Sequence, residues 1–166
     1  ESVKTFPFFA ENVGNDDGLV DMSFNLVNEN ALLFNSTIDR ANIEYNKGKW
    51  NFKLGRQRIN WGINLAWNPN DLFNAYNFVD FDYAERPGSD AARLTYYATP
   101  MSQIEVAYRP GGNLDESILA AYYKFNKWQY DIQTIVANYN TDLALGLGYA
   151  GSIGTAGFKG EGTYFH

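Results

Sequence analysis

Gly55-Arg56-Gln57-Arg58 sets two arginines one residue apart, ahead of Ile59-Asn60-Trp61-Gly62. Guanidinium groups so spaced attract an anionic or polyol solute if they face a water-filled passage. They serve structure alone if they pair with Glu44 or with loop carboxylates. Further on, Asp80, Asp82 and Glu85 offer carboxylates of the kind a glycoside hydrolase uses, but aspartates two apart in a strand merely share a face, and the order of residues does not give their separation. No enzymatic activity is expected. His166 is the only histidine and cysteine is absent, which removes Ser-His-Asp catalysis, thiolate metal sites and disulfides. Asn15-Asp16-Asp17-Gly18 hints at a calcium loop but lacks the spaced oxygens and closing glutamate of an EF-hand. Neither a metal nor a cofactor is expected.

The elements that would carry these groups read as strands. Ala41, Ile43 and Tyr45 alternate with Asn42, Glu44 and Asn46; Lys47-Gly48 turns the chain; Trp50, Phe52 and Leu54 alternate with Asn51 and Lys53. The period of two makes one face apolar and aromatic and the other polar with long charged groups, which is how a strand reads between lipid and water. Before this hairpin, residues 3–9 suggest an edge strand limited by Pro7. A strand follows over 19–27, then a turn at Asn28-Glu29-Asn30 and a long strand from Ala31 to Asn46. After Arg58 the chain is irregular until about Ala91. The pattern then predicts strands over 92–98 and 102–109, a hairpin over 117–125 and 128–137 around Asn126-Lys127, and a last pair over 143–149 and 153–164 around Gly151-Ser152.

About ten strands result, each of a length that lets a tilted strand cross a bilayer. From Lys47 onward the connections are sorted by end: tight at Lys47-Gly48, Thr99-Pro100, Asn126-Lys127 and Gly151-Ser152, longer at 59–90, 110–116 and 138–142. Outer-membrane barrels are built with short turns at one end and long loops at the other. The fold expected is therefore all-β, an antiparallel up-and-down transmembrane barrel or the N-terminal part of one, forming a single domain over 1–166. The final strand ends at Tyr164-Phe165-His166 without a partner to close against, which predicts a wall continued by further chain. So many charged groups on the polar face, with Arg40, Glu44, Lys53, Arg93, Glu105, Arg109 and Asp131 among them, fit a wider barrel better than a small cylinder.

Bulk composition agrees. Aromatic residues make up 17% of the 166 residues, mean hydropathy is −0.38, and no apolar run is long enough for a membrane helix. The net charge of −6, from 13 basic and 19 acidic residues, argues against a nucleic-acid partner. The 59–90 connection is too aromatic for a solvated loop. Asn68-Pro69-Asn70-Asp71 predicts a turn and a helix start at Asp71, Arg86-Pro87-Gly88-Ser89 a type II turn, and the insert is expected to fold into the lumen and narrow it.

Gly55-Arg56-Gln57-Arg58-Ile59-Asn60-Trp61-Gly62, the Asn68-Pro69-Asn70-Asp71 turn and Arg86-Pro87-Gly88-Ser89-Asp90-Ala91-Ala92-Arg93 together resemble Gram-negative outer-membrane channel porins of the alginate-export and related substrate-channel kind, with a Bacteroidota-like composition. The resemblance covers residues 40–109, and such barrels are longer than this chain. It implies an outer-membrane location, lipid around the wall and a selectivity set by inward loops and by Arg56, Arg58, Arg86 and Arg93. The function expected is passive diffusion of small polar or anionic solutes past a constriction lined by Arg56, Arg58, Glu44, Lys53, Asp80, Asp82, Arg86, Arg93, Glu105 and Arg109, with other barrel subunits or a surface protein as further partners. The rival is a secreted or surface all-β module in which Trp61, Trp67, Tyr76 and Tyr83 stack on carbohydrate or hold a protein partner.

Overall fold

The computed structural model describes residues 18–29, 32–64, 67–73 and 88–166. Ten antiparallel strands form two sheets, with no α-helix among the described residues. β1 (Ser23–Glu29) and β2 (Leu32–Thr37) make a two-stranded ribbon. β3 (Ala41–Lys47), β4 (Trp50–Gln57), β5 (Ser89–Thr99), β6 (Ser102–Arg109), β7 (Ile118–Lys127), β8 (Tyr130–Tyr139), β9 (Asp142–Ile153) and β10 (Ala156–Phe165) form an up-and-down meander in which every strand pairs with its sequence neighbour. The fold is all-β and antiparallel, in the form of a barrel wall.

Several boundaries differ from expectation. The long third strand is broken at residues 38–40, and its halves, β2 and β3, belong to different sheets. The β7–β8 turn lies at Trp128-Gln129, with φ of 55° and 65°, rather than at Asn126-Lys127. Both values suit a tight hairpin turn, whose twist matches the strands it joins. The slip is two residues, so every side chain keeps its face. The last turn is at Gly154-Thr155 instead of Gly151-Ser152, and the 138–142 connection is a two-residue Asn140-Thr141 turn, as tight as those at the other end. The expected strand over 3–9 and the 15–17 part of the acidic turn lie outside the described residues.

The two faces of the large sheet differ in burial. Phe52, Leu54, Leu94, Ile104, Val106, Leu119, Tyr123, Val136, Leu143, Leu145, Leu147 and Tyr149 are all exposed. The opposite face, carrying Asn51, Gln57, Thr95, Glu105, Ala107, Ala120, Gln133, Ala137 and Ala144, is buried. What covers it is the chain following β4. Ile59, Trp61, Leu72 and Phe73 supply the bulk, while Ala91, Ala107, Ala120, Ala137 and Ala144 supply a floor of small residues.

That covering requires the sheet to curl. β4 and β10 are six inter-strand steps apart in the sheet order, roughly 29 Å on a flat sheet. Continuous pairing also sets Glu161 of β10 level with Tyr97 of β5. Gln57 sits level with Ser89, at the other end of β5, adding roughly 26 Å along the strands. Yet Ile63, six residues past Gln57, donates its N–H to the Glu161 carboxylate at 2.6 Å, and six residues reach about 22 Å at most. Only a strongly concave sheet lets this segment run as a chord from one side of the wall to the other.

Candidate functional site

The concave face and the segment lying in it form the candidate site. Trp61 is its anchor. Its ring stacks on Tyr122 at 5.2 Å between centroids and meets the edge of Phe73 at 5.1 Å, and its indole N–H donates to Glu105 Oε1 at 2.6 Å. Thr95 Oγ1 donates to the other Glu105 oxygen at 2.9 Å. Gln133 Nε2 donates to the Trp61 carbonyl at 2.6 Å. A carboxylate buried this deeply is tolerable because both oxygens accept hydrogen bonds and Arg93 Nη1 lies 3.8 Å away.

Further along, every inward side chain in the middle of β10 holds the same segment. Lys159 Nζ donates to the Ile63 carbonyl at 3.2 Å, Glu161 accepts from the Ile63 N–H, and Thr163 Oγ1 donates to Pro69 O at 2.7 Å. Asn70 Nδ2 donates to Leu147 O at 3.0 Å. The glycines of β9 make the room: a Cβ on Gly146 would lie 2.6 Å from Asn70 Oδ1, and one on Gly148 2.9 Å from Ile63 Cδ1. The turn expected at Asn68-Pro69-Asn70-Asp71 is present, with the Asp71 N–H donating to Asn68 O at 3.1 Å. Residues 71–73 beyond it are irregular where a helix start was expected.

The structure brings part of the expected constriction together. Glu44, Lys53 and Arg93 are consecutive cross-strand partners on β3, β4 and β5, and Glu105 is one step away on β6. The row reads acid, base, base, acid, and each base is joined to the acid on its outer side: Lys53 Nζ is 3.1 Å from Glu44 Oε2, and Arg93 is paired with Glu105. Arg109 follows on the same face, its guanidinium reaching the Glu116 carbonyl at 3.5 Å. Arg58 lies just past β4, half-buried. The Nε atoms of Arg58, Arg93 and Arg109 are buried with no hydrogen-bond partner among the described residues.

Arg56 is placed differently. It follows the parity of Trp50, Phe52 and Leu54, and no bulge turns it inward, because the β3–β4 and β4–β5 pairings run through Gly55 without a shift. Gly55 instead has φ of 113° and lies against the Ala41 carbonyl, where a side chain would not fit. Directly opposite Arg56 is Asp90, and the two make a bidentate pair at 3.0 and 2.9 Å. Carbonyls of Val20 and Ile38 take further guanidinium hydrogens. The group is 2% exposed and ties the chain ahead of β1 to the head of β5, away from the concave face. Trp61, expected as a ligand platform, is likewise buried, while Trp67 is 67% exposed. Asp80, Asp82, Glu85, Arg86, Tyr76 and Tyr83 lie outside the described residues. No cluster of metal-ligating side chains occurs among the described residues.

A family profile described as "Protein of unknown function (DUF1302)" matches residues 40–166. The chain belongs to this family. The DUF1302 segment begins at the head of β3 and so takes in the whole eight-stranded sheet with the segment it encloses, leaving the β1–β2 ribbon outside. No curated protein and no solved structure matches the chain.

Residues of the DUF1302 sheet that sequence reasoning passed over include Asp90, Tyr122, Gln133, Glu161 and Thr163. Gln133 and Tyr122 sit on the polar parity of strands already recognised. Reading that face for what could receive a loop, with the Ala144, Gly146 and Gly148 run as the sign of a close approach, would have found them.

Proposed function

We propose that this chain is a wall of an outer-membrane β-barrel in a Gram-negative bacterium, and that the barrel passes small polar or anionic solutes by passive diffusion through a lumen narrowed by residues 59–73. The observation that carries this reading is the reversal of faces: a continuous apolar surface is exposed while the small and polar surface is covered. In water such a surface is a large unsatisfied patch; in a bilayer it is the ordinary exterior of a barrel.

Three further features support it. The exposed face carries aromatics toward the tight-turn end, with Trp50 and Tyr96 4.7 Å apart, Tyr123 and Phe125 5.1 Å, and Tyr149 and Phe158 5.3 Å. This is where a girdle at the headgroup level belongs. Between them and the other end, Leu54, Leu94, Val106, Val136, Leu143 and Leu145 form an apolar band. The sheet also curls, and its concave side retains Lys53, Arg93 and Arg109, to which the proposed preference for anions is assigned.

The full-length protein refolded in detergent is expected to migrate differently on a gel before and after boiling, and to give discrete conductance steps in a planar bilayer. A folded product that inserts and never conducts contradicts the channel. Solubility as a monodisperse species without detergent would favour the surface binding module, with exposed Trp67 as its contact.

A further inference from the structure

The tight-turn end of the exposed face has a charge pattern that the channel does not use. In β3 the outward column runs Ile43, Tyr45, Lys47, and in β7 it runs Leu119, Tyr123, Phe125, Lys127, each passing from apolar through aromatic to cationic toward the same end of the sheet. Lys47 is paired across the hairpin with Trp50, and Lys127 with Tyr130. Lys49 lies in the turn beside Lys47, with Nζ 2.9 Å from Ala98 O on the next hairpin, and Lys127 Nζ sits 4.3 Å over the Trp128 ring. All three lysines are exposed. Across the four turns at this end of the sheet the one carboxylate within two residues of a turn is Asp131. It lies on the covered face and is bound to Lys124 at 3.0 Å.

Lysines at the end of an apolar column lay their methylene stems along it and carry the ammonium to the level of the headgroups. We propose that Lys47, Lys49 and Lys127, framed by Trp50 and Trp128, bind the phosphates of anionic phospholipids in the leaflet that surrounds the tight-turn end. The inference rests on the barrel reading and adds a lipid preference to it. The aromatic rings fix the depth and the lysines select charge. A free phosphate ion would gain nothing from the apolar columns beneath them.

The test is equilibrium association of the chain with phosphatidylcholine vesicles made with and without phosphatidylglycerol, followed by tryptophan fluorescence at low ionic strength. Adding phosphatidylglycerol should strengthen binding of the native chain by about fivefold per lysine, on the order of a hundredfold for the three, and salt should abolish the gain. The K47Q/K49Q/K127Q variant should lose the gain and still insert into phosphatidylcholine. K124Q, which alters a lysine on the covered face, should keep it. Equal dependence on phosphatidylglycerol in the native chain and the triple variant overturns the proposal while leaving the barrel intact. So does displacement from the charged vesicles by inorganic phosphate beyond the effect of matched salt. Failure to insert into either vesicle removes the barrel reading and this proposal with it.

Discussion

Arg56 illustrates how a single side chain can bind separate parts of the chain. Its guanidinium satisfies Asp90 and the carbonyls of Val20 and Ile38 at once, and those groups come from three segments distant in sequence. Removing one partner of a buried pair leaves the other charge without compensation, at a cost of about 3–5 kcal/mol. Arg56→Met is therefore expected to lower the unfolding free energy of the refolded chain by an amount in that range, read as a fall in its urea midpoint. Arg56→Met combined with Asp90→Leu should recover most of the loss, because neither charge is then stranded. Equal midpoints for the native chain and the single variant would show that the pair is dispensable. Lysine should not rescue the site, since a point charge cannot reproduce the bidentate contact.

At the scale of elements, the segment after β4 is what gives the concave face its contents. The sheet contributes alanines and glycines there, and the segment contributes Trp61, Leu72 and Phe73. Gly146→Leu would place a side chain where Asn70 Oδ1 now sits, 2.6 Å from even a Cβ. The strand can bear the substitution but the segment cannot stay seated. Faster proteolysis within 59–73 and a larger unit conductance are expected, with the heat-modifiable band retained. Unchanged conductance would mean the segment does not narrow the lumen.

The same element explains what could be read from the order of residues. Strand alternation from Ala41 to Tyr149 was legible, since a period of two survives a hairpin slip of two residues, as at Trp128-Gln129. Of the insert expected over 59–90, the described residues 59–64 and 67–73 pack on the covered face of the sheet, and their aromatics were the legible sign of that packing. The break at 38–40 was not, because Ile38 to Arg40 carries no glycine or proline and is set by the tertiary tie of Arg56 to Ile38 O. Nor was the role of Arg56: its parity was clear, but its partner Asp90 lies across a connection whose return register no local pattern fixes. Trp61 was legible as an aromatic with a job, yet only its contact with Glu105 and Tyr122 shows that the job is packing.

For the whole molecule, the central claim is that the exposed face is solvated by lipid. The edges of β3 and β10 are not paired with each other among the described residues, and unpaired backbone groups are costly in hydrocarbon. The face itself offers a sharper test than the edges. Tyr45, Phe52, Leu94, Val106, Ala121, Val136 and Leu145 are joined by continuous cross-strand pairing into one row across the sheet, midway along the strands. Leu145 is 43% exposed, and in a water-soluble protein an arginine there would change stability by no more than about 0.5 kcal/mol. Facing the middle of a bilayer, it costs about 2–4 kcal/mol. The decisive measurement is the equilibrium unfolding free energy of Leu145→Arg against the native chain in phosphatidylcholine vesicles. A loss of about 2–4 kcal/mol is the result the lipid-facing wall predicts, and a loss indistinguishable from zero would contradict it.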